Sequence, residues 1–228
     1  MSRFFSRGSA RTGSRFLPFL LGLSVVFFCS FVQVAVGEQG GSPRDQFGGP
    51  QAGDRAPDFR LKDLQGREVT LKEFKGKRPV VLITGSYTCP IYRQRISSLE
   101  HLYQKYGKRV AFFILYTVEA HPLGAPSPYS GREWITEENR KEGILFKQPS
   151  SYEERCALVS RSRNALRSSV PVLVDDMDNG AWEQYGGAPN AAYLIDDKGN
   201  VRLRQGWFDP PAFEKALMEI LQEDPPRW

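Results

Sequence analysis

The stretch from Arg78 to Ala120 constrains the fold more than any other part of this 228-residue chain. It opens with RPVVLITG, an unbroken apolar and β-branched run of the kind that forms a strand covered on both faces. After a short polar break, Cys89 and Pro90 introduce a segment in which Tyr92, Ile96, Leu99, Leu102, Tyr103 and Tyr106 recur mostly at three and four residues. That spacing predicts a helix with one buried stripe. RVAFFILYTVEA then supplies a second buried strand. Strand, helix and strand in this order imply a right-handed crossover and a parallel pair.

The flanking sequence extends this unit into a layered α/β domain. APDFRLKDLQGREVTLKEFKGK alternates apolar and polar residues about Gly66, as a short hairpin does. Residues 151–167 open at Ser150 or Ser151 with Glu153 and Glu154 in the first turn, which predicts a second helix. VPVLVD is a third strand, NAAYLIDDKGNVRLRQG is a pair of strands turning at Lys198-Gly199, and 211–222 closes the chain as a helix. Between Pro122 and Pro149, prolines and glycines interrupt any period, so a long surface insertion is expected, and ordered insertions of that length are often functional. The expected class is α/β, with a central mixed sheet, helices on both faces and an N-terminal β-hairpin extension.

The first 37 residues carry Arg3, Arg7, Arg11 and Arg15 and no acid, followed by FLPFLLGLSVVFFCSFVQVAV. A basic start, an apolar run and small residues at Ala35 and Gly37 describe a secretory signal. An apolar run of about 20 residues also suffices for a membrane tether, here through residues 16–36. Either reading places the rest of the chain outside the cytoplasm: exported, periplasmic or otherwise extracytoplasmic. Residues 38–53, rich in Gly, Pro and Gln, read as a flexible linker, and 54–228 as one folded domain. Of the five net positive charges, four belong to the leader, so the remainder is nearly neutral. With no basic stripe interleaved with aromatics, nucleic acid is not an expected partner.

Beyond Cys29 in the leader, only Cys89 and Cys156 remain, too few for a disulfide scaffold. With His101 and His121 they show none of the short spacings of a zinc site, so no metal is expected. Cys89 follows the C-terminal end of a parallel strand, the edge where α/β proteins place their sites. It also precedes a helix whose unpaired N–H groups and dipole favour an anion, and Pro90 suits the first helical position. A thiol so placed is expected to have its pKa lowered from about 8.5 into the range of roughly 3.5 to 7.5. The alternative is a small, inert, buried cysteine. Cys156, inside the predicted second helix, is either an ordinary helix residue or a resolving thiol, which requires Cα atoms within about 7 Å. The sequence CPIY has no C-x-x-C, so dithiol exchange between adjacent cysteines is excluded.

The order APDFRLKDLQGREVTLKEFKGKRPVVLITGSYTCP resembles the redoxin branch of the thioredoxin fold. GSYTCP followed by ILYTVEAHP is similar, more narrowly, to the iodothyronine deiodinases, whose motif has Gly-Ser-x-Thr, selenocysteine and Pro, then Glu-Ala-His on the next strand. The resemblance runs from Asp54 to Leu221 and includes SYEERCALVSR and VPVLVDDMDN. It implies a thioredoxin-like fold and a cysteine-based oxidoreductase, with Cys89 at the position of the selenocysteine nucleophile. Glu119 and His121 fall where the family has an acid and a histidine serving proton transfer. Spaced by two, they are expected on one face at the strand end, the glutamate setting the tautomer of the histidine. Thr88 is expected either to donate its hydroxyl to the Cys89 sulfur or to cap the helix.

Ser86, Tyr87 and Pro189 are candidate substrate contacts. Pro189 joins them because Ala188-Pro189, just before NAAYLI, resembles the cis-proline that lies against the active cysteine of thioredoxins. No cofactor is implied beyond an external thiol reductant. The expected partners are that reductant and a small-molecule substrate, with monomer and homodimer both open.

Departures from the family bear on the substrate. Sulfur replaces selenium, with a higher pKa and slower attack on iodine. Tyr87 stands where many members have a second cysteine, and Ala191 where an arginine would grip the amino-acid end of an iodothyronine. The Gly-Trp that follows Glu-Ala-His in the family is unmatched in spacing, Trp134 being displaced by the insertion. Three readings therefore stand: a deiodinase-like thiol oxidoreductase; a thiol peroxidase or thiol-disulfide oxidoreductase; and a binding module with a silent thiol. Ser86 meets the peroxiredoxin spacing of three before the cysteine, but Leu82 occupies the position of the peroxiredoxin proline.

Overall fold

Parallel pairing of two buried strands sets the frame of the molecule. In a computed structural model that describes residues 48–223, β3 (Val80–Gly85) and β4 (Ala111–Tyr116) are buried at every position. They pair in register from Val80 with Ala111 to Gly85 with Tyr116, so both end at one edge of the sheet. The crossover between them is α1 (Pro90–Tyr106), whose stripe of Tyr92, Ile96, Leu99 and Leu102 is buried as its period requires. The leader and its tether or signal, with Cys29, lie outside the described residues.

The sheet has seven strands in the order β2-β1-β5-β4-β3-β6-β7. The hairpin of β1 (Arg60–Asp63) and β2 (Glu68–Thr70) adds to one side, antiparallel to β5 (Val172–Val174). On the other side β6 (Ala192–Ile195) and β7 (Val201–Gln205) form the expected antiparallel pair. Alternation along β3 and β4 divides the core. Val81, Ile83, Phe112 and Ile114 pack with residues of α1, of α3 (Tyr152–Ala165) and of α5 (Pro210–Glu223). Leu82, Phe113 and Leu115 pack on the opposite face with Leu71 and with Tyr185 of α4 (Gly180–Tyr185). Each such Leu, Ile or Phe contributes about 1.5–3 kcal/mol when fully buried, which is why the sheet is covered on both sides.

Three differences from the sequence expectations follow from local physics. Residues 48–53, expected as the end of a tether, are bonded to the edge strand: Gly53 N–H donates to Val201 O at 2.8 Å and Arg204 Nη2 to Gly48 O at 2.6 Å. The insertion is not featureless, because Thr136 caps a short helix, α2 (Glu137–Glu142), that ends at Gly143 with φ of 67°. α4, like α2, has six residues, too few to show a period, and buried Asp175 holds its start by accepting from Ala181 N–H and Trp182 N–H. Among the described residues, no helix is long and apolar enough to cross a membrane.

Candidate active site

Gly85 ends β3 where the chain must pass against a ring: a Cβ there would lie 2.5 Å from Tyr92. The turn that follows closes through Cys89 N–H to Ser86 O at 3.1 Å and delivers Cys89 to the N-cap of α1, with Pro90 in the first turn. Its sulfur accepts from Tyr92 N–H at 3.4 Å. Cys89 is only 1% exposed, and burial pushes its thiol up to about 11. The N–H groups of Tyr92 and Ile91 and the charge of Arg93 act in the opposite direction and do not cancel it, while the Glu119 charge adds to the rise. This corrects the lowered pKa expected at a helix N-terminus, since loss of water outweighs the helix-end donors at a buried sulfur.

Beneath the sulfur lies a network of buried polar groups. Glu119 is wholly buried, and its carboxylate accepts from Thr88 N–H at 2.8 Å and from the Tyr116 hydroxyl at 2.5 Å. Burial holds its pKa above the ordinary carboxylate value, and these donors oppose that rise. Thr88 neither donates to the Cys89 sulfur nor caps α1. Its hydroxyl oxygen accepts from His121 N–H at 3.0 Å, and the hydroxyl also pairs with Glu119, so Cys89 itself is the cap. Nor does Glu119 set the tautomer of His121. The His121 Nδ1 meets Trp134 O at 2.9 Å, a partner that only accepts, so the proton resides on Nδ1 and Nε2 keeps its lone pair in the neutral ring. Burial lowers the His121 pKa, which favours that neutral form, and the Trp134 carbonyl opposes the shift.

Cys89 and His121 share a cavity of about 440 Å³. Its other walls include Pro189, Tyr129, Trp134 and Trp207. Trp134 meets the imidazole edge-on at 4.5 Å between ring centroids and is 49% exposed, so this wall is open to solvent. Of the three expected substrate contacts, only Pro189 lines the cavity. Ser86 is buried below it, its hydroxyl accepting from Ala120 N–H at 3.1 Å. Tyr87 turns away to stack on Phe146 at 5.3 Å and lines a separate cleft with Arg93 and Glu142. Cys156 is a free, half-buried thiol on α3 and does not line the cavity. Ala191 is fully buried with its N–H on Thr84 Oγ1 at 2.7 Å, so a side chain reaching substrate has no place there.

The insertion supplies what motif reasoning missed. Tyr129, Trp134, Thr136 and Glu138 all come from residues 122–149 and line the cavity. Asn139, fully buried on α2, fastens the insertion to the cysteine loop: its Nδ2 donates to Thr88 O at 2.8 Å and its Oδ1 accepts from Arg93 Nη2 at 2.8 Å. Arg93 Nη1 in turn donates to Tyr87 O at 2.8 Å. The density of aromatics in an otherwise Pro-rich loop is the one sequence signal that could have marked this wall.

Comparison with known proteins identifies the family and the fold. Residues 41–215 match the family model of the iodothyronine deiodinases. The thyroxine 5-deiodinase of Ovis aries is 30% identical over 189 residues, 80% of this chain and 59% of the relative. The type I iodothyronine deiodinase of Xenopus laevis is 27% identical over 64% of this chain and 53% of the relative. The chain thus spans about half the length of the curated relatives it matches. Among solved structures, the thioredoxin domain of a thiol-disulfide oxidoreductase from Bacteroides vulgatus superposes with a TM-score of 0.51 at 15% identity, covering 74% of this chain and 97% of that one. The fold is thioredoxin-like.

Proposed function

The chain belongs to the iodothyronine deiodinase family, and from that premise we propose that it is a thiol-dependent oxidoreductase whose Cys89 attacks an electrophilic atom of an aromatic substrate. Reductive deiodination is the reaction this reading favours. The observation that carries it is the placement of Cys89 and His121 in one aromatic-walled cavity, at the ends of adjacent parallel strands.

In this reaction the Cys89 S–H proton passes to Nε2 of His121, and the thiolate attacks iodine. An S–I bond forms as the C–I bond breaks. The C–I electron pair stays on carbon, which takes the proton back from His121. An external thiol then attacks the sulfur and expels iodide, and a second releases Cys89 from the mixed disulfide. Two thiols are oxidised to one disulfide while C–I becomes C–H. The raised thiol pKa is why this reading gives a base a role: the neutral His121 that lines the same cavity takes the proton as the sulfur attacks. The same reading places the domain outside the cytoplasm, supported by the basic and then apolar first 37 residues.

The test is a substrate panel of an iodothyronine, hydrogen peroxide and a disulfide, each with excess thiol, on the unaltered chain and on Cys89→Ser. Iodide release by the unaltered chain and its loss in Cys89→Ser is the expected result. Peroxide or disulfide turnover without iodide release transfers the site to the other thiol chemistries, and unchanged turnover in Cys89→Ser removes Cys89 as nucleophile.

A further inference from the structure

The charge of the cavity narrows the substrate class. Among its described lining residues, Glu138 is the one with a formal charge, and no lysine or arginine joins it. His121 is held toward its neutral form by burial. The nearby cation Arg93 is committed elsewhere. Its Nη1 goes to Tyr87 O, its Nη2 to Asn139 Oδ1 and its Nε to Glu142 Oε2 at 3.1 Å, and its side chain lines the separate cleft beside Tyr87. Ala191 offers no substitute. A carboxylate entering this space would meet Glu138 with no countercharge. An ammonium would meet that carboxylate among aromatic walls.

We propose that this cavity selects iodinated phenols whose side chain ends in an amine and lacks a carboxylate, with Glu138 as the residue that sets the preference. The proposal rests on the reading that the Cys89 cavity is the substrate site. Glu138 is exposed at the rim, so water and salt screen it. The discrimination expected from one such charge contact is about two- to fivefold in affinity, the range of a partly screened ion pair.

The experiment compares three ligands with the same iodinated phenol ring: one with an aminoethyl chain, one with the full α-amino acid, and one with a propionic acid. Binding is read by quenching of tryptophan fluorescence in Cys89→Ser, which removes turnover, and again with E138Q added to it. The expected order is amine, then amino acid, then acid. E138Q should bring the amine-to-acid ratio close to one with an unchanged circular dichroism spectrum, and added salt should compress the ratio in the parent. Equal or tighter binding of the acid, a ratio that survives E138Q, or no binding of any of the three overturns the proposal. If iodide release fails while the binding order holds, the reaction is wrong and the selectivity right. If iodide is released from all three without preference, the reverse is true.

Discussion

At Cys89 two effects of opposite sign meet, and their sizes decide the chemistry. The N-cap position offers a sulfur contact of 3.4 Å to one N–H, whereas burial to 1% exposure removes nearly all water from the thiolate. Burial wins, and the thiol rises to about 11. Because the thiolate is the reactive form, the rate of Cys89 alkylation by iodoacetamide in the folded, ligand-free chain should climb about tenfold per pH unit from 7 toward that value. A free thiol would level off near about 8.5. Mass-resolved labelling of Cys89 against Cys156→Ser as background distinguishes the two, and a plateau at or below 8.5 contradicts the burial described here. The identity of this residue was legible, since a strand end, a cysteine and a proline stand in order in the sequence. The direction of its pKa was not, because spacing reports the helix end but not what covers it. The partners of His121 were hidden for a related reason: Trp134 O is a backbone acceptor, and backbone contacts between a strand end and a loop leave no side-chain pattern.

At the scale of elements, long periodic segments declared themselves and short ones did not. β3, α1 and β4 could be placed from their apolar spacing, as could the hairpin that turns at Lys198-Gly199. α2 and α4 have six residues each, under two turns, and their identity rests on caps and tertiary bonds rather than on a stripe. The consequence matters most for α2, which holds the aromatic insertion over the cysteine loop. Its anchor, Asn139, satisfies Thr88 O and Arg93 Nη2 at once in a fully buried site. Asn139→Ala leaves both without that partner and should cost about 1–3 kcal/mol, the penalty for unsatisfied buried polar groups. Urea unfolding measures it, and a loss under about 0.5 kcal/mol, the scale of an exposed surface change, would show that the insertion is not fastened there. Iodide release should fall with it, because Trp134 would lose its fixed place against His121.

Across the whole molecule, one architectural fact converts sequence into site. Parallel register from Val80–Ala111 to Gly85–Tyr116 makes two strands end together, so residues 86–89 and 117–121, far apart in the chain, meet at one edge. The hydrophobic runs on either side of that edge supply rigidity, with one core cluster on each face of the seven-stranded sheet. The insertion then roofs the edge and adds Tyr129, Trp134 and Glu138 to the cavity wall, which Trp207 completes from beyond β7. The fold and the strand-end place of Cys89 were thus readable from periodicity and motif, while the cavity around that cysteine required the three-dimensional return of a loop with no period of its own. The most direct measurement is formation of the deiodinated phenol in a single turnover, with an iodinated phenol in excess and no external thiol. Each chain should form about one equivalent of deiodinated phenol and then stop, Cys89 being left as S–I, with iodide released and turnover resuming when thiol is added. Continued formation of the deiodinated phenol without thiol, or the same burst from Cys89→Ser, would contradict a reaction carried by this cysteine.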